Sequence, residues 1–157
     1  VQEIDVKVAK CRDGAVVPSY QTAGAAGFDF YATEDVIIPP GHTTLVKTGL
    51  KFEIPEGYEI QVRPRSGLSL KTKMRVANSP GTIDSDYRDE VGIIVENIAP
   101  SQYGASPAQY EATIIKVKAG DRIAQGILAE VIRARFQQTF EDLSETARKG
   151  GFGSTGA

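Results

Sequence analysis

Two carboxylates and a phenol stand within four residues in Asp84-Ser85-Asp86-Tyr87. They follow the turn-rich stretch Asn78-Ser79-Pro80-Gly81-Thr82-Ile83 and precede an apolar run from Val91 to Val95. A carboxylate within hydrogen-bond reach of water can take its proton, and a neighbouring aromatic ring can form the floor of a sugar or base pocket. Aspartates also bond their own backbone in turns, so the same residues have a plainer reading as turn chemistry. The pattern reads as a β-hairpin with carboxylates at its tip. A second segment, residues 63–71, sets Arg63 and Arg65 with Ser66-Gly67 at a strand end, just before a helical turn. Guanidinium forks match phosphate oxygens bidentately, and free N–H groups at a helix start favour anions. A solvated basic turn is the alternative. A third segment, residues 150–156, holds four glycines with Phe152, Ser154 and Thr155. Its amides can wrap phosphates while Phe152 stacks on a base, or it is a free tail. The lysine-bearing pattern of a P-loop is absent.

The elements that must position these residues read as short strands. Apolar side chains alternate at Ile4, Val6 and Val8, at Tyr58, Ile60 and Val62, and at Ile115 and Val117, the period of two that marks half-buried strands. Turn signals separate the runs, at Asp13-Gly14, Pro39-Pro40-Gly41, Pro55-Glu56-Gly57, Ser79-Pro80-Gly81 and Ala119-Gly120-Asp121. Residues 66–73 are predicted to make a helical turn or two with Ser66 as the cap. Residues 99–112, with Pro100, Gly104 and Pro107, read as a long surface loop or an extended hairpin tip. Ile123, Ala124, Ile127, Leu128, Val131 and Ile132 are apolar on both faces, which either a two-layer core or an oligomer interface explains. Beyond Phe136 the pattern stops, giving a β-domain over 1–136 and a C-terminal arm over 137–157.

Lysine and arginine number 18 against 20 aspartates and glutamates, a net charge of −2 over 157 residues. That balance provides no footprint for a nucleic-acid duplex or an anionic membrane, so neither partner is expected. The apolar runs fall far short of the roughly 18 residues of a membrane span. The charged opening, residues 1–10, does not read as a signal peptide. A single cysteine, Cys11, excludes an intrachain disulfide, and with His42 it is too little for a zinc cluster. A cytoplasmic, reducing setting is expected, and the length suits one domain with a core of its own.

Taken together and in chain order, residues 26–32 (AGFDFYA), 63–71 (RPRSGLSLK), 78–88 (NSPGTIDSDYR), 120–125 (GDRIAQ) and 150–156 (GGFGSTG) resemble the five motifs of the homotrimeric dUTPase family, which hydrolyses dUTP to dUMP and pyrophosphate. The resemblance spans nearly the whole chain and implies an all-β, dUTPase-like (β-clip) distorted jelly-roll barrel, assembled as a homotrimer. It implies that Asn78 and the backbone of Gly81, Thr82 and Ile83 receive uracil in a slot too narrow for the thymine methyl. Tyr87 packs on deoxyribose and leaves no room for a 2′-hydroxyl, and Asp84 is the base that activates the attacking water. Arg65, Ser66, Gly67 and Gln125 grip the phosphates. Arg148, Phe152, Gly153, Ser154 and Thr155 belong to an arm that closes over the site, with Phe152 on the uracil. Mg²⁺ is held mainly by the substrate's triphosphate, and Asp29 either reaches it through water or acts structurally. The site is then composite, drawing on three subunits.

Three features depart from the family pattern. Asp89 replaces the usual glycine after Tyr87-Arg88, a change that aspartate tolerates if left-handed backbone is required. The 99–112 segment is longer than usual, and Arg148 stands one residue closer to the glycines than usual. A nucleotide-controlled binding or signalling protein with a regulatory protein partner, and a dCTP deaminase-related enzyme, are the alternative functions on this scaffold.

Overall fold

Ile4, Val6 and Val8 are each half-buried between exposed neighbours, the alternation demanded of extended chain with one wet face. The computed structural model describes residues 1–101, 104–148 and 150–152. Among them the chain forms β1 (Lys7–Lys10), β2 (Phe28–Tyr31), β3 (Val36–Ile38), β4 (Thr43–Lys47), β5 (Leu50–Glu53), β6 (Tyr58–Arg63), α1 (Ser66–Lys71), β7 (Met74–Val76), β8 (Gly81–Ile83), β9 (Gly92–Asn97), α2 (Pro107–Glu111), β10 (Ile115–Val117) and β11 (Arg122–Glu130). All pairings between these strands are antiparallel. The largest sheet runs β2-β11-β6-β8, a second runs β4-β9-β7, and β1-β5 and β10-β3 form two-stranded ribbons.

The sheets share one buried cluster, to which β2, β6 and β11 contribute Phe30, Ile60 and Ile123 while β4 and β9 contribute Val46, Ile93 and Val95. Phe28, Phe30 and Phe52 form an edge-to-face chain with centroids 5.5 and 6.2 Å apart, a geometry that adds to the burial of each ring. Gly126 lies opposite Phe28 across the β2–β11 ladder, where any Cβ would run into the Phe28 and Phe30 rings. The two-faced apolar character of β11 has a local cause. A register shift between Arg122 and Ala124 turns both Ile123 and Ala124 inward, the effect of a β-bulge. Val131 and Ile132, past the strand, are exposed in the single chain.

Three expectations need correction. Ser66 does not cap α1: it is the first helical residue, and Arg65, with extended backbone, occupies the cap without a side-chain bond. Residues 99–112 are not all loop, because α2 forms on a capping box in which the Ser106 hydroxyl accepts from Gln109 N–H and the Gln109 side chain accepts from Ser106 N–H. The signal was Ser-Pro-Ala-Gln, a cap followed by Pro at the first helical position and Gln at the third. Both ends of that segment are fixed by the fully buried Asn97, which donates to Ile38 O (2.9 Å) and Thr113 O (2.7 Å) and accepts from Ala99 N. Finally, residues 78–97 are not a simple hairpin. β8 pairs with β6 while β9 pairs with β4 and β7, so the Asp84–Asp89 turn carries the chain from one sheet to the other.

Candidate functional site

One half of the site gathers at the end of the β2-β11-β6 sheet. Gln125 lies opposite Asp29 on one side and Arg63 on the other, in a single row across three strands. The Asp29 carboxylate is only 9% exposed. Its Oδ1 is 2.9 Å from Arg65 Nε, and its Oδ2 is 3.4 Å from Arg122 Nη1. A buried carboxylate needs such partners to offset its lost hydration, and in return it fixes where the Arg65 side chain points. Gln125 Nε2 donates to the Pro64 carbonyl at 2.9 Å, anchoring the backbone just ahead of Arg65. Ser66 and Gly67 follow, both exposed, at the start of α1. Of the residues read from sequence, Asp29, Arg65, Ser66, Gly67 and Gln125 are brought together here. Arg122 joins them, although it was not singled out. Its place in the Gly-Asp-Arg stretch beside Gln125 was the available signal.

The other half is the turn after β8. Ile83 is buried, and Asp84 directly after it is exposed, so the strand's last apolar anchor delivers a carboxylate to solvent. Tyr87 N–H donates to Asp84 O (3.1 Å), and Arg88 Nη1 to Ser85 O (2.6 Å). The Tyr87 ring is 41% exposed, and its hydroxyl donates to Glu90 O at 3.0 Å. Asn78, Gly81 and Thr82 lie on the approach to this turn, with the Asn78 amide leaning over Gly81. Asp89 does not use left-handed backbone: among described non-glycine residues only Phe152 has positive φ, so the residue that replaces glycine carries no such strain.

These halves are far apart within one chain. Ile83 pairs with Ile60, which places Asp84 level with Glu59 near the start of β6, while Arg65 lies two residues past the strand's end and its Nε reaches the Asp29 carboxylate in the row of Arg63. At about 3.3 Å per residue, the four positions from Glu59 to Arg63 set the two rows roughly 13 Å apart along the strand. A separate cavity lies at each end. One, about 560 Å³, is lined by Glu56, Glu59, Asp84, Asp86 and Arg133 among others. The second, about 320 Å³, is lined by Arg65, Lys116, Asp121 and Arg122 with apolar neighbours. Four carboxylates against one guanidinium make the first a poor seat for a polyphosphate, and the cations that would suit one belong to the second. In the arm, Arg148 and Phe152 are exposed, and Gly153, Ser154 and Thr155 lie outside the described residues. Among the described residues no three His, Cys, Asp or Glu side chains are grouped to hold a metal ion. No helix among them is long and apolar enough to cross a membrane.

The all-β scaffold, with its guanidinium-rich edge and an exposed carboxylate beside an aromatic ring, is of the β-clip type. The dUTPase family profile matches residues 13–156. The chain is 45% identical over 157 residues to the deoxyuridine 5′-triphosphate nucleotidohydrolase of Wolinella succinogenes, covering 99% of this chain and 97% of that protein. It is 49% identical over 147 residues to that of Chlamydia pneumoniae, covering 92% and 93%. Among solved structures, the dUTPase of Staphylococcus bacteriophage 80alpha with dUpNHpp superposes with a TM-score of 0.86 at 26% identity, over 98% of this chain and 99% of that one. A dUTPase of phage phi11 of S. aureus, described with a structural Mg(II) ion, gives 0.78 at 27% identity, over 88% and 98%. This chain belongs to the dUTPase family.

Proposed function

We propose that this chain hydrolyses dUTP to dUMP and pyrophosphate with Mg²⁺, in active sites built between the subunits of a homotrimer. The observation that carries the composite arrangement is that Asp84 and Arg65 line separate cavities of the single chain, one rich in carboxylates and the other in cations. The Asp84 turn of one subunit then meets the Arg65-Ser66-Gly67 edge of another over one nucleotide. The arm over 137–157 then comes from a third subunit and closes over the nucleotide, the role assigned to Arg148, Phe152, Gly153, Ser154 and Thr155, while 1–136 forms the barrel.

Asp84 accepts a proton from water as the water oxygen bonds to the α-phosphorus. The bond from that phosphorus to the bridging oxygen breaks, and pyrophosphate leaves with the electron pair. Exposure suits the base, because a solvent-facing carboxylate can meet the attacking water directly. Uracil is received by Asn78 and the backbone of Gly81, Thr82 and Ile83. There a cytosine would leave polar groups unpaired, and a 5-methyl group would not fit. Tyr87 covers the deoxyribose. Arg65, held by Asp29, and the amides of Ser66 and Gly67 bind phosphate oxygens, with Gln125 fixing the Pro64 carbonyl behind them.

Mg²⁺, when bound, neutralises charge on the triphosphate and draws its oxygens into one conformer. The donor set fits an ion held chiefly by substrate. Both Asp29 oxygens are engaged by guanidinium groups, so this carboxylate reaches an ion only through water and serves first to aim Arg65.

Incubation with each deoxynucleoside triphosphate and Mg²⁺, with pyrophosphate as the readout, tests the reading. Turnover of dUTP alone is expected. Asp84→Asn should lower kcat by roughly 10² to 10⁴ with binding retained, and near-normal turnover by that variant refutes the assignment of the base.

A further inference from the structure

The turn that carries Asp84 and Tyr87 has seven residues between the buried Ile83 and the buried Val91, and its outward face has little packing of its own. It is tied at its far end. Glu90 Oε1 accepts from Gly49 N–H at 3.0 Å and from Arg12 Nε at 2.5 Å. The next residue extends the attachment, since Val91 N–H donates to Leu50 O (2.8 Å) and Val91 O accepts from the Thr48 hydroxyl (2.6 Å). Gly49 has φ +68°, and a Cβ there would lie 2.7 Å from Ala15 Cβ and 3.1 Å from Arg12 Cβ. The β4–β5 turn is therefore packed directly on the Arg12 segment, and the Glu90 carboxylate bridges the two.

The Glu90 carbonyl is also the acceptor for the Tyr87 hydroxyl. The side chain of Glu90 fixes its own backbone, and that backbone fixes the ring. With 41% of Tyr87 in solvent, burial alone does not set the ring's position.

We infer that Glu90, clamped by Arg12 and the Gly49 amide, is a positioning residue for Tyr87 and determines how strictly the site excludes ribonucleotides. The inference rests on the proposed function, in which Tyr87 faces the sugar. A steric exclusion is only as strict as its wall is immobile, because a ring free to shift by an ångström or two admits one extra oxygen. Arg12 and Glu90 belong to neither the phosphate edge nor the arm, so they contribute to selectivity without touching substrate.

The test compares kcat/KM for dUTP and UTP in four proteins: unmodified, Glu90→Gln, Tyr87→Phe and the double variant. Glu90→Gln is expected to lower the dUTP:UTP ratio roughly tenfold, the lower end of what a charge-assisted hydrogen bond contributes. Part of the change should come as a rise in the absolute kcat/KM for UTP. A merely structural loss would lower both substrates together. Tyr87→Phe, which removes the hydroxyl bonded to Glu90, should move the ratio the same way, and the double variant should fall no further than the worse single one. Arg12→Met should reproduce the effect and Arg12→Lys restore part of it, which decides the matter even if Glu90→Gln fails to fold. An unchanged ratio in both Glu90→Gln and Arg12→Met, or a parallel loss on both substrates, overturns the inference while leaving dUTP hydrolysis standing. Absence of dUTP turnover by the unmodified protein overturns both.

Discussion

Mixing two inactive variants should restore activity if the site is shared between chains. Asp84→Asn removes the proposed base, and Arg65→Ala removes a proposed phosphate ligand that lines a different cavity of the same chain. Each trimer made of one variant alone has every site broken. In trimers formed from equal amounts of both, a site is intact when its Asp84 comes from an Arg65→Ala chain and its Arg65 from an Asp84→Asn chain. With random assembly each condition holds half the time, so about a quarter of sites are whole and about a quarter of normal turnover returns. The assay is pyrophosphate release after joint denaturation and refolding, with light scattering to show species near three times 16.9 kDa. Arg65→Ala leaves Arg122 on Asp29, so the buried carboxylate keeps a partner. Mixed trimers without activity would refute the shared site, as would a fully active monomer.

Arg148→Ala should raise KM for dUTP more than for dUDP if the arginine reaches the γ-phosphate despite its shifted spacing. Equal losses on the two nucleotides remove that role from Arg148. Arg12 holds the Glu90 carboxyl below its ordinary value of 4.5, with Lys47 adding in the same direction. The stability this linkage contributes is fully present above that value and is lost as pH falls through the lower folded one. Melting temperature measured from pH 7 to 3 should therefore fall less steeply for Glu90→Gln than for the unmodified protein, and parallel curves would remove the linkage. Gly126→Ala should destabilise by about 1–3 kcal/mol, because its methyl must displace the Phe28 and Phe30 rings. A denaturation midpoint unchanged by this substitution would show that the rings give way freely.

Period-two alternation located β6 and β10 well, because each strand buries one face and wets the other. It misjudged the first strand's start, since Ile4 and Val6 are half-buried without being paired in a ladder. The short α2 is hard to read because Pro107 and Gly104 look like loop formers, whereas Pro at the first helical position favours the helix. The segment after Asn78 was read as a hairpin since its turn residues suit one. Partner choice is a tertiary fact, and β8 and β9 find their partners far away in sequence. Of the residues proposed for the site, Asp84, Tyr87 and Arg65 stand in contiguous motifs and can be named from sequence alone. Arg122, Glu90 and Arg12 cannot, as their function lies in contacts spanning 93, 41 and 78 residues of sequence.

The same contrast explains why the cation edge and the carboxylate are kept apart. An ionised base beside a fixed guanidinium would pair with it, and the pair would neutralise the charge that each must present to substrate. Arg65 already has a carboxylate in Asp29, buried behind it and sharing its second oxygen with Arg122, so the edge is preorganised without using Asp84. Asp84 in turn has no ion-pair partner at 4.0 Å or less among the described residues and stands accessible at the end of a strand whose last apolar residue is buried. Lining different cavities, the two are kept from pairing within one chain. On the proposed reading, assembly of the trimer brings them to bear on one nucleotide.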